Sequence, residues 1–510
     1  MKNLLSVSLA LSAAVLLATT TSALPVESQG RNQIVFNSPE HLCQQREVSF
    51  SPDLKGHVLI RFNAKKFANI DLGLSEKDKQ LYFDVDEEPV DILLNQLDVW
   101  SQNKDKTDVL AHLTKDQYDM FTQAMTTSTP RDINEWQVVD HDLQGTVAKE
   151  AETLNYYASL DSLNCAKSNL MNKVNKKNKK RPTRVDFTTW FNNYHPHDDI
   201  KSFYLQLAED YKDLVTYIPS IGKTVEGRDI FAVKITAREE DGSLREKPQI
   251  WWQGLQHARE WAGGSTVQYL THHLLSNYGK KNKITSFLQD VEFIIVPIMN
   301  IDGYDHTWTN NRLWRKNRRQ LNLGAYGVDL NRNWNDHFGQ GGSSNFPWSE
   351  TYRGPSAASE PEVQALSKFF SEHKRIVGAI DFHCYSQLVL RPEGWTTTEA
   401  KHEKEHKIVG DKIVELIEGV HGKKYISEPS IALYKTTGAA SDWFYGDEAT
   451  KANNGQPIYS YTIELRPSDT FSGRNGFILP PEEIIPLGEE IAEAMEFFVD
   501  YVVKHPLEPK

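Results

Sequence analysis

The 510-residue chain reads as an α/β protein in two unequal parts, a small α+β domain followed by a large one built on a mostly parallel sheet. Three observations predict this. Near-continuous apolar runs at Ile230–Ile235, Ile250–Leu255, Val291–Met299 and Ile376–Cys384 are interleaved with helical patterns such as Ile200–Leu214, as expected of strands buried on both faces. Before about residue 160 the apolar stretches are short, as at Val58–Phe62 and Ile92–Leu94, with polar turns between them. Between these two textures lies Lys173–Arg181, almost bare of apolar side chains and followed by Pro182.

Taken in order, the elements begin with a secretory signal over residues 1–23. Lys2 supplies the positive end, Leu9 to Ala18 the apolar core and Thr21-Ser22-Ala23 the small residues before a cleavage point. The apolar run breaks at Thr19, too early for the ~20 residues that a membrane span needs. A small domain is expected over residues 36–161 and a basic linker over 162–185. In a secreted precursor an exposed basic stretch is also where an activating protease would cut, after Lys177, Lys180 or Arg184, because Pro182 hinders cleavage after Arg181. The large domain is expected over 186–506. Ser359 and Glu362 are spaced as a capping box with Pro361 in the first turn, ahead of Val363, Leu366 and Phe370 at helical spacing, and a last helix is predicted over Glu482 to Val503.

Composition limits the function classes. A net charge of −12 argues against general affinity for nucleic acid or anionic membrane. Three cysteines cannot form a disulfide framework, so a large core must carry the stability; Cys43 with Cys165 is the expected pair, leaving Cys384 a buried thiol. The sequence contains no Asn-x-Ser/Thr acceptor.

The residues suited to chemistry lie at strand ends. The run Ile250–Leu255 leads into Gln256-His257-Ala258-Arg259-Glu260, and in open α/β sheets ligands bind beyond the carboxyl ends of strands. A His and a Glu three apart can hold one metal ion from a single turn, although such a pair alone is as easily a surface turn. His383 ends a second apolar strand and alone would be a satisfied core histidine. Two histidines and one glutamate leave a fourth position for water, the catalytic arrangement rather than the closed structural one. On Pro457–Leu465 a period of two puts Glu464 on one face with Thr462 and Ser460, where a glutamate is costly unless used or paired with an arginine such as Arg466. Arginines in Asn311–Arg318 and Val328–Trp334 could fork a carboxylate or be plain solvated charges. His195, His197, His272 and His273 have no such setting and are read as structural or exposed.

His257/Glu260, Arg312/Arg315, Asn331-Arg332, His383, Tyr434 and Glu464 occur in an order and spacing that resemble the carboxypeptidase A/B family of zinc metallocarboxypeptidases, and the likeness runs from about Asp186 to the end. The resemblance implies a carboxypeptidase-like fold, a twisted, mixed, mostly parallel β-sheet with helices on both faces, preceded by an inhibitory pro-domain. It implies one zinc ion on His257, Glu260 and His383; this His₂Glu set is the one described for carboxypeptidase A itself, so it comes with the family and is not an independent deduction. Asp329 would orient His257, Glu464 would be the general base and Arg315 would stabilise the oxyanion. Asn331 and Arg332 would hold the terminal carboxylate, Tyr434 would close over the substrate, and Arg259 would contact the peptide further along. The partners implied are peptides with a free C-terminus and an activating protease. A monomer is expected, secreted, with a vacuole as the alternative destination.

Three departures from the family pattern stand out. Ala325 and Trp348 occupy positions where animal digestive members join two cysteines. The loop Pro467–Ser472 is lengthened. Ser441 stands where members specific for basic residues carry an acid, and with Leu433 and Thr462 it points to apolar or aromatic terminal residues, since a cation there would be unpaired. The alternative is a weak or inactive member with a binding or cell-wall role, which Glu464 argues against.

Overall fold

The structure is a computed structural model that describes residues 48–50, 54–70, 72–83, 87–127, 136–174, 185–468 and 476–509, with the backbone alone for 125–127 and 161–174. The signal at 1–23, Cys43, the side chain of Cys165, the cut positions Lys177, Lys180 and Arg184, and residues 469–472 of the lengthened loop lie outside the described residues.

The small N-terminal unit has four strands, β1 (Val58–Phe62), β2 (Asp98–Gln102), β3 (Val109–Leu113) and β4 (Trp136–Asp140), in the antiparallel order β2-β3-β1-β4. Alternation along β1 divides its side chains. Val58, Ile60 and Phe62 join Phe67, Leu93 and Phe121 in a small core, whereas Leu59 belongs to the main core of the molecule. The chain then enters helix α1 (Leu143–Val174), whose Leu143, Val147 and Leu154 also join the main core. This helix runs past residue 161, so the boundary expected there falls inside a continuous helix: nothing from Ser162 to Val174 is a Gly or Pro that would stop it.

The main sheet has eight strands: β5 (Val215–Lys223), β6 (Asp229–Ile235), β7 (Gln249–Gly254), β8 (Glu292–Val296), β9 (Ile376–Ser386), β10 (Leu388–Arg391), β11 (Ile426–Pro429) and β12 (Tyr459–Ser468). Their order is β11-β10-β12-β9-β7-β8-β6-β5. The central four, β12-β9-β7-β8, are mutually parallel, and antiparallel pairings flank them on both sides. This is the mixed, mostly parallel sheet expected; the predicted runs in β7, β8 and β9 lie at its centre, and the one in β6 lies outside them, antiparallel to both neighbours. Helices α2 (Trp261–Asn277), α3 (Pro361–Ser371), α4 (Glu403–His421), α5 (Ala440–Tyr445) and α6 (Ile484–Lys504) cover it. Register sets the site. β12 and β9 pair Glu464 with His383 and Thr462 with Asp381, so these four side chains share one face at the carboxyl ends of neighbouring strands.

Two local expectations are corrected. The helix predicted from Ile200 spans His197–Asp210. The capping box does not form at α3: its N-cap is Glu360, Ser359 Oγ donates to the Glu360 carboxylate, and Glu362 accepts from the Val225 N–H and from Asn317 instead. Long-range partners outcompete the local cap because both glutamates are fully buried and need donors from elsewhere in the fold.

Candidate metal centre

The loop after β7 delivers the first two groups. His257 precedes α2, and Glu260 is the N-cap residue of that helix, with its carboxylate 2.7 Å from His257 Nδ1. The helix must come very close to β9: a Cβ on Gly263 would stand 2.7 Å from the carbonyl oxygen of Phe382. That approach brings His383 Nδ1 to 2.9 Å from Glu260 Oε2 and 3.1 Å from His257 Nδ1. The ligand atoms of His257, Glu260 and His383 all lie within 4.8 Å of one another, and all three residues are buried.

The donor set fits a metal ion. On the outer side of each ring Nε2 meets a carboxylate, Asp329 Oδ1 at 3.0 Å for His257 and Asp381 Oδ2 at 2.7 Å for His383. Each ring thus stands between two carboxylates, with Glu260 on the inner side; when the hydrogen is on the outer Nε2, each Nδ1 turns a lone pair inward, the form in which a histidine ligates a metal ion. In that form two ring lone pairs converge on a carboxylate whose Oε2 also accepts from the Cys384 N–H, an arrangement that a shared cation would stabilise. Charge agrees: Glu260, Asp329, Asp381 and Glu464 surround the centre, and the guanidinium that reaches them, Arg315, bonds Asp329 at 2.9 Å and lies 3.6 Å from Glu260.

His257, Glu260, Arg315, Asn331, Arg332, Tyr434, Ser441 and Glu464 line one cavity of about 830 Å³. Glu464 is half-buried. Burial pushes its carboxyl up to about 8; His383 and Arg315 oppose that rise and the Glu260 and Asp381 charges add to it. Asn331 and Arg332 sit on a turn capped by Asp329, whose Oδ1 accepts from the Asn331 N–H. Asn331 Oδ1 accepts from the Ala440 N–H, tying this turn to α5. Gly438 makes that junction possible, with φ at +70° and the Arg332 carbonyl oxygen 2.3 Å from where a Cβ would be. The Ser441 hydroxyl accepts from Thr462 Oγ1 at 3.1 Å, and Leu390, Leu433 and Ala439 line the cavity beside them.

Arg259 differs from the other predicted residues. It is fully buried, its Nη1 donates to both carboxylate oxygens of Asp98 on β2 at 2.9 Å, and its guanidinium lies 4.1 Å from the Phe477 ring centre. Burial alone would raise the Asp98 carboxyl, but Arg259 and His112 outweigh it and hold that carboxyl below the usual aspartate range. Arg312 is held likewise, bidentate to Glu150 of α1 at 2.7 and 3.0 Å. Sequence reasoning missed Asp98, Glu150 and Asp381. The first two act across more than 160 positions and leave no local signal; Asp381, two before His383 on a strand, could have been found from the period of two. Cys384 is a buried free thiol, as expected, and His195 stacks on Trp190 at 3.5 Å in a structural setting.

A family model described as zinc carboxypeptidase matches residues 200–494. The sequence is similar to carboxypeptidase A5 of Macaca fascicularis, 35% identical over 62% of this chain and 69% of that protein. It is also similar to carboxypeptidase B of Astacus astacus, 35% identical over 61% of this chain and 98% of that protein. The crystal structure of thrombin activatable fibrinolysis inhibitor has the same fold, with a TM-score of 0.67 at 24% identity, covering 88% of this chain and 99% of that one. Bovine thrombin-activatable fibrinolysis inhibitor in complex with tick carboxypeptidase inhibitor matches with a TM-score of 0.55 at 31% identity, over 62% of this chain and 99% of that one.

Proposed function

The chain belongs to the zinc carboxypeptidase family, and on that premise we propose that it is the precursor of a secreted exopeptidase releasing single apolar or aromatic residues from the C-terminal ends of peptides. The observation that carries this reading is the meeting of His257, Glu260, Glu464, Arg315 and Arg332 around one cavity. His257, Glu260 and His383 hold the zinc ion, which supplies Lewis-acid polarisation of a carbonyl and acidifies water. Glu464 takes the proton of the attacking water and passes it to the leaving amine. Arg315 meets the charge that grows on the scissile carbonyl oxygen. Arg332, with the Asn331 amide beside it, binds the terminal carboxylate, and Tyr434 closes over the substrate. Ser441, Thr462, Leu433 and Leu390 form the pocket for the terminal side chain, where no acid awaits a cation.

The unit containing β1 to β4 acts as the inhibitory pro-domain. In support, its Asp98 occupies Arg259, which the active enzyme would turn to the peptide, and its Val99, Trp100 and Ser101 line the same cavity. Cleavage after α1, in the basic stretch, frees the site.

A panel of peptides ending in Phe, Leu, Lys and Glu, digested with the processed enzyme before and after chelation and zinc add-back, tests this. Phe and Leu should be released at least ten times faster than Lys, and chelation should abolish release of all four. Fastest release of Lys would overturn the preference, and efficient cleavage of C-terminally amidated peptides would overturn the role of Arg332.

A further inference from the structure

We propose that Asp381 is a positioning residue of the metal centre, fixing the ring orientation and tautomer of His383 and strengthening it as a ligand; this rests on the reading of His257, Glu260 and His383 as the zinc ligands. Asp381 and His383 lie two residues apart on β9, so both side chains stand on the face that carries the site. Asp381 is fully buried, and its Oδ2 accepts from His383 Nε2 at 2.7 Å. The same oxygen accepts from Gln256 Nε2 at 2.7 Å, and Gln256 Oε1 accepts in turn from Trp334 Nε1 at 2.8 Å. Trp334 is wedged against Trp443 and Phe444 of α5, with ring centres 5.1 and 5.4 Å away. Asp381 is therefore pinned from behind by a chain of buried donors. Because Gln256 adjoins His257, the chain also ties the loop bearing one histidine to the strand bearing the other.

The two carboxylates behind the histidines are not equivalent. Asp329 also bonds Arg315, so much of its charge is met locally. The hydrogen bonds to Asp381 come from Gln256 and His383, and its Oδ1, though buried, has no hydrogen-bond partner among the described residues. A buried carboxylate left half-satisfied is costly unless a positive charge stands nearby. The centre on the far side of the His383 ring is where such a charge belongs. A negative group behind an imidazole raises its basicity toward a cation in front, and partners of this kind typically contribute about 10–100-fold to metal affinity.

The test is zinc affinity by chelator competition, with the visible absorption of the Co²⁺-substituted protein as a second readout, on the full chain carrying D381N or H383A. D381N keeps the shape and an accepting oxygen but removes the charge. It should bind zinc about ten times more weakly, or worse, and shift the cobalt bands. A merely structural role for Asp381 would lower thermal stability and leave both readouts alone. Zinc affinity within twofold of the parent together with an unchanged cobalt spectrum would overturn the proposal. H383A separates the two levels: loss of zinc binding there upholds the ligand reading whatever D381N does, whereas normal binding by H383A would sink that reading itself. If D381N does not fold, Gln256→Leu, which frees Asp381 from its second donor, decides instead. A severalfold loss of zinc affinity supports the proposal and an unchanged affinity refutes it.

Discussion

Glu464 and Asp442 are both acids whose pKa values burial raises to about 8, the first half-buried and the second buried, and they have opposite uses. Glu464 faces the cavity, where a group ready to gain and lose a proton near neutrality can work. Glu464→Gln should retain zinc at full stoichiometry and lose turnover by about 10²–10⁴-fold, measured as kcat on a Phe-terminated peptide. Asp442 lies in α5 behind the pocket, where its Oδ2 accepts from the Gly394 N–H. Its carboxyl is raised by burial and by the charges of Asp336 and Glu393, against the opposing pull of Gly394 and Arg332. Unfolded, it would titrate at an ordinary aspartate value, so between about pH 4 and 8 the folded state holds the extra proton and stability falls as pH rises. Asp442→Asn should remove that fall. Its melting temperature relative to the parent should climb across this window, corresponding to a slope of at most about 1.4 kcal/mol per pH unit, and parallel melting curves would show that Asp442 is charged throughout.

The site depends on how closely whole elements approach one another. α2 brings Glu260 to His383 because Gly263 allows the helix to touch the β9 backbone. Gly263→Ala must push them apart, at a cost of about 1–3 kcal/mol in unfolding free energy, with weaker zinc binding alongside; a fully stable variant with normal zinc affinity would mean that the contact has slack. The central strands were legible in the sequence because β7, β8 and β9 are buried on both faces and read as unbroken apolar runs. β5, with exposed and half-buried residues mixed along it, and the four-residue β10 and β11 were not. Edge and short strands are specified by what they pair with rather than by their own side chains. The same applies to α3, whose cap residues signalled one local arrangement while Asn317, Arg319 and the Val225 N–H imposed another. Strand ends pointed to the neighbourhood of His257 and His383, but the grouping of these two with Glu260 came from the family resemblance, because it depends on the long-range approach of a helix N-terminus to β9.

At the scale of the whole molecule, the N-terminal unit is joined to the large one by a continuous core and by two ion pairs aimed at arginines beside the site. Asp98 makes two charge-assisted bonds to Arg259, each worth about 1.5–3 kcal/mol. Asp98→Asn in the uncut chain should therefore raise its activity on long peptides roughly tenfold or more, while leaving the processed enzyme unchanged. Equal activity of the uncut parent and variant would show that the Asp98–Arg259 pair does not hold the site shut. No helix among the described residues is long and apolar enough to cross a membrane.

The pairing of β12 with β9, residue for residue, has a consequence for errors of assembly. A shift of the strand by a single position would swing Glu464 away to the opposite side and bring Ile463 or Leu465 to the reaction centre. With the roles proposed above, a chain that misfolds in this way would keep the three ligands and lose the base, so the mistake would yield an inert body rather than a protease with altered appetite.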